Sequence, residues 1–161
     1  MRLLIALTLA LTACTHAPVK VPTGGGLYPY GSYKHSVQIH VEQPQPRTMD
    51  MRGALKFDAE KLRVVGLSSF GTTVFRIEED FRTGEIKKDF YLEIIQKNSD
   101  RFMEFYYMIR ELLTAPKGQT EFERRGAKFT VSKPDENGIY RKVHIVHPQV
   151  TIDVEVTGYE F

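Results

Sequence analysis

Apolar positions recur at helical spacing in one long stretch only, Asn98 to Ala115, which reads NSDRFMEFYYMIRELLTA. Phe102, Phe105, Tyr106, Ile109, Leu112 and Leu113 follow the i, i+3, i+4, i+7 rule that gathers side chains on one helix face. Asn98 or Ser99 is expected to cap the first turn, and Pro116 and Gly118 to end the helix. Met103, Tyr107 and Met108 flank the stripe, so the helix is unusually greasy around its circumference. Either more protein covers those flanks or something apolar does.

Elsewhere the pattern has the period of strands. Val37, Ile39 and Val41 alternate with polar residues up to Pro44 and Pro46, and Met49, Met51, Gly53, Leu55 and Phe57 share one face of a second strand. Leu62 to Leu67 and Val74 to Glu79 are joined by Ser68-Ser69-Phe70-Gly71-Thr72, and Glu85 to Asp89 follows an acidic turn closed by Gly84. The run from Phe90 to Ile95 fits a strand or a short helix equally. After the long helix, Ala127 to Ser132, a strand with Ile139, Val143 and Ile145 on one face, and Val150 to Thr157 complete the pattern. Asn137-Gly138 marks a turn between the first two of these.

The expected fold is therefore α+β and mainly β, with about seven to nine antiparallel strands, each apolar on one side. One helix cannot cover so wide a sheet if it is flat. Strong curvature into a half-open barrel, with the helix as plug or lid, solves that problem. The apolar cavity or core between is expected to be formed by Ile39, Leu55, Val65, Phe75, Ile77, Val143, Ile145 and Val154 of the strands and Phe102, Phe105 and Ile109 of the helix. Periodicity leaves open whether side chains fill it or a cavity remains.

Composition adds an address. Met1-Arg2, the apolar run Leu3 to Leu11, and Leu11-Thr12-Ala13-Cys14 have the form of a lipoprotein signal with its lipobox, so residues 1–13 are expected to be cleaved and Cys14 acylated. The run is too short to span a bilayer as a helix. Thr15 after the cysteine, where an Asp would mark retention, points to the outer membrane, lipid-anchored and facing the periplasm. Residues 14–33, rich in Pro and Gly, read as a flexible tether to a single domain over 34–161. Cys14 is the one cysteine, so the mature domain has no disulfide or thiol to work with.

Charge points to no nucleic-acid partner, since 22 Lys and Arg are matched by 20 Asp and Glu. His144 and His147 lie three apart on a strand and face opposite ways, which argues against a shared metal. Glu78, Glu79 and Asp80 read as a solvated strand end, and Gly66-Leu67-Ser68-Ser69-Phe70 lacks the spacing of a nucleophile elbow. No catalytic residue, cofactor or metal site is expected, and the chain does not read as an enzyme.

Arg52-Gly53-Ala54-Leu55 and Val64-Val65-Gly66-Leu67-Ser68-Ser69-Phe70-Gly71, with Gly158-Tyr159 near the last strand, resemble the outer-membrane lipoprotein receptor LolB and a group of LolB-like lipoproteins. The resemblance spans roughly Val37 to Tyr159. It implies a LolA/LolB-like half-barrel that binds an apolar or acylated ligand and helps deliver it to the outer membrane. It implies as partners a lipid or lipid-bearing cargo, a periplasmic carrier protein, and the membrane itself. By motif, the hairpin residue that touches the membrane falls on Phe70, which either projects outward or folds back over the barrel end. The alternative function is an assembly lipoprotein with a filled core that binds another envelope protein.

Overall fold

Hydrophobic alternation with period two recurs along most of the chain, and in the computed structural model, which describes residues 26–42 and 45–161, it becomes nine strands and two helices. In order these are β1 (Gly31–Val41), β2 (Arg47–Phe57), β3 (Lys61–Ser68), β4 (Thr73–Asp80), β5 (Glu85–Phe90), α1 (Glu93–Lys97), α2 (Ser99–Thr114), β6 (Glu121–Arg124), β7 (Ala127–Val131), β8 (Lys142–His147) and β9 (Val150–Glu160). The signal segment, Cys14 and most of the expected tether lie outside the described residues.

All nine strands form one antiparallel sheet in the order β5-β4-β3-β2-β1-β9-β8-β7-β6. Two meanders, β1 to β5 and β6 to β9, are zipped together by the pairing of β1 with β9. The sheet is not closed into a barrel, because β5 and β6 are left as its two edges. This connectivity determines where the helix must go. The chain leaves β5 at one edge and re-enters at β6 on the other, so it has to cross the full width of the sheet over one face. α2 makes that crossing, and its 16 residues reach about 24 Å.

The sheet curves around α2. Residues of six consecutive strands, from β4 across to β8, line one small space beneath the helix. Laid flat, those strands would span about 24 Å at ~4.8 Å each, too far to share it. The concave face carries the core. Leu62, Phe129, Ile139 and Tyr33 are almost completely buried, each such apolar side chain contributing about 1.5–3 kcal/mol relative to exposure.

Several local expectations change. The packed domain begins upstream of residue 34: Leu27, Tyr28 and Tyr33 are in the core, and β1 starts at Gly31. Tyr28 donates to the carbonyl of Tyr140 at 2.6 Å and Tyr33 to that of Pro29 at 2.6 Å, so the polar ends of both rings are satisfied inside the fold. Neither Asn98 nor Ser99 caps α2 with its side chain. Asn98 instead closes α1, its amide Nδ2 donating to the carbonyl of Ile94 at 2.8 Å. The ambiguous Phe90 to Ile95 run divides, Phe90 ending β5 and Ile95 lying in α1. Ile139 sits in the turn before β8, where the Asp135 carboxylate accepts from the Ile139 and Asn137 N–H groups and from Arg141. β6 carries too little alternation, with Phe122 its one buried residue, to be seen in the sequence.

Candidate functional site: an apolar cavity under the helix

The helix face that periodicity marks as most apolar is buried unevenly, with Tyr106, Leu112 and Leu113 on it buried. Phe102, Phe105 and Ile109, at the centre of the stripe, are half-buried, while Met103 and Met108 on its flanks are buried. Beneath α2 lies an apolar cavity of 110 Å³ lined by all six residues of the stripe and by Met108. An apolar cavity of this general size, about 150 Å³, stays dry and accepts a small apolar guest.

The cavity is not isolated. Ile39, Met51, Phe102, Phe105 and Met108 also line a wider groove of 470 Å³. This groove opens at the end of the molecule where the β3–β4 hairpin, α1 and the start of α2 meet the ends of β1, β2 and β9. Its rim is greasy where solvent would favour polar groups. Phe70 at the hairpin tip is 95 % exposed, Ile94 of α1 58 %, Leu92 42 % and Met49 37 %. Arg47, Arg101 and Arg125 stand among them, and Arg125 is held by the Glu104 carboxylate at 3.2 Å and over the Tyr107 ring at 4.6 Å.

Phe70 projects because of the turn that carries it. The Gly71 N–H donates to the Ser68 carbonyl at 2.9 Å and the Ser68 N–H to the Thr72 carbonyl at 2.8 Å. Gly71 takes a φ of 84°, which a glycine adopts without strain. This tight turn holds Ser69 and Phe70 away from the sheet, so the fold-back alternative does not apply.

At the far end of α2 lies a buried charge. Glu79 continues the inward phase of Phe75 and Ile77 on β4 and is 3 % exposed. Its carboxylate accepts from the Tyr106 hydroxyl at 2.5 Å and pairs with Arg110 at 3.2 Å. Both partners are on α2, so this is a polar tie between lid and sheet. Burial and the neighbouring carboxylate push the Tyr106 hydroxyl far above its ordinary pKa, so it remains a donor.

Of the residues expected to line the space, Ile39, Leu55, Phe75, Ile77, Phe102, Phe105, Ile109, Ile145 and Val154 do so. Val65 borders the cavity, but strand alternation turns its side chain to the convex face, between Ala54 and Arg76; Val64 and Gly66 are the inward pair. Val143 is buried on the concave face between Val131 and Val154 and packs there without reaching the cavity. His144 and His147 are on opposite faces, His144 bonded to Asp153 at 2.7 Å on the outside and His147 at the groove. Glu78 faces outward between Lys61 and Arg63, unlike Glu79.

Sequence reading missed Glu79 and His35. His35 shares the inward phase of Tyr33, Val37 and Ile39 and lines the cavity. The signal was available had the first strand been extended to residue 31. Among the described residues no group of three or more His, Cys, Asp or Glu is placed to hold a metal ion. Compared with known proteins, the chain matches no family model and no curated protein.

Proposed function

We propose that the protein is a LolA/LolB-like, lipid-anchored carrier of the outer membrane that takes up an apolar or acylated ligand beneath α2 and helps deliver it to the bilayer. The single observation carrying this reading is an apolar cavity that continues into a groove rimmed by exposed Phe70, Ile94 and Leu92. Leaving a cavity unfilled costs stability, about 24 cal/mol per Å³, which a fold with no guest gains nothing by accepting. The exposed rim is likewise unfavourable in water and becomes favourable in a bilayer interface, where Phe, Ile and Leu leave water and the arginines meet anionic headgroups. A short hairpin and a short helix at the mouth would let the ligand pass from cavity to membrane without crossing water. The lipobox at Cys14 would supply the anchor, and a periplasmic carrier would hand over the cargo.

Native mass spectrometry of the protein released from its own membrane tests the reading: co-purified lipid is expected. An empty protein with a stable protein partner would favour the assembly-lipoprotein alternative. Phe70→Glu should leave the fold unchanged and slow ligand transfer to vesicles; unchanged transfer would remove the hairpin's role.

A further inference from the structure

Among the described residues, His35 is an inward-facing polar side chain of the cavity that makes no hydrogen bond. The other polar residues around the space are Tyr28, Tyr106 and Arg52. Tyr28 donates to Tyr140 and Tyr106 to Glu79, and Arg52 is exposed, its alternation placing the side chain on the convex face. The His35 ring has no hydrogen-bond partner among the described residues; it is half-buried and lines the cavity. Space beside the ring is provided by glycine. Its cross-strand partner is Gly53, paired in turn with Gly66. A Cβ built on Gly53 would lie 3.6 Å from the His35 Cβ and 4.0 Å from Nδ1. The ring therefore looks onto vacant, otherwise apolar volume.

We propose that the ligand is an apolar molecule with one neutral hydrogen-bonding oxygen, a hydroxyl or carbonyl, at its innermost end, and that the His35 imidazole is the partner of that oxygen. This rests on the reading of the cavity as a ligand site. His35 lies four residues back along β1 from Ile39, where cavity meets groove, so the oxygen would sit about 13 Å inward of that junction. Water is a poor occupant of so apolar a space, because a buried water needs two to four polar partners. An ionised carboxylate is poorer still, since among the described residues the one cation bordering the cavity is Arg52, whose side chain lies on the convex face. Burial lowers the His35 pKa to about 4, so at neutral pH the ring presents one N–H and one lone pair, which suits a hydroxyl or a carbonyl.

The test uses the full chain in lipid nanodiscs, with isoleucine methyls and histidine ring nitrogens isotopically labelled, titrated with dodecanol or with dodecane. Both should shift the Ile39 and Ile109 methyl signals, and dodecanol alone should shift the His35 ring nitrogens. In His35→Leu the ratio of dodecanol to dodecane affinity should fall about three- to tenfold, the scale of one net hydrogen bond. Partitioning into the nanodisc cancels in that ratio. The ring-nitrogen readout needs no variant, and His35→Gln, which can still donate and accept, should keep most of the preference. If both ligands enter but the ratio is unchanged and the ring signals respond alike, the role of His35 is overturned and the cavity reading stands. If neither moves the methyls, the cavity reading falls and this inference with it.

Discussion

His35 titrates inside an apolar wall, and that placement makes it a pH-sensitive element of the fold. Burial lowers its pKa from 6.5 to about 4, so the unfolded chain binds a proton more readily than the folded one between those values. The neutral ring's contribution is fully present above pH 6.5 and is lost as pH falls toward 4. Urea unfolding should record a loss of up to about 3 kcal/mol from this group over that window. His35→Leu should flatten that part of the profile. Asp135 works at lower pH. Its partial burial favours protonation, but the Ile139 N–H, the Arg141 guanidinium and the Asn137 N–H outweigh that and hold its carboxyl below the usual carboxylate range. Asp135→Ala leaves those donors without an acceptor and should cost about 1–3 kcal/mol at neutral pH, read from the unfolding midpoint. The wild type should lose the same contribution only in strong acid, as pH falls through the lowered pKa.

Among elements, α2 shows how packing and polar ties divide the work. Its apolar stripe lines the cavity, and Tyr106 and Arg110 fasten it to Glu79 of β4. Tyr106→Phe removes the donor and leaves a buried carboxylate to Arg110 alone, itself 45 % exposed. It should destabilise by about 1–3 kcal/mol in equilibrium unfolding. Under β4 the constraint is steric. A Cβ on Gly66 would come within 1.9 Å of the Phe75 ring, which lies across that position and packs on Phe102. Gly66→Ala should cost about 1–3 kcal/mol and displace the ring toward the cavity, visible as reduced uptake of an apolar fluorophore. The helix, its length, its stop, its inward face and most strands were legible from periodicity, β6 excepted. The space beneath the helix was not, because the hydrophobic stripe records which residues avoid water and not which of them meet a solid neighbour.

For the molecule as a whole, β1 and β9 decide the architecture: their pairing joins two local meanders into one sheet. The cavity exists only after that closure, because it draws on strands of both meanders and on the helix between them. A ligand that binds the folded state alone must therefore stabilise the whole sheet. Dodecanol at about 100 times its dissociation constant should add ~2.7 kcal/mol and raise the melting temperature, and filling the cavity with Gly53→Leu should abolish the shift.

The amino-acid pattern by itself determined the strand faces, the single long helix, the turn that carries Phe70 and the mainly β class, because each depends on neighbours a few residues away. It also assigned most of the residues that line the interior. Only the tertiary structure decided that the interior is hollow, that Val65 turns outward and Val143 packs against neighbours, and that His35 is alone among apolar walls. Those properties depend on how far apart strands and helix come to rest, and that distance is set by side chains from distant parts of the chain.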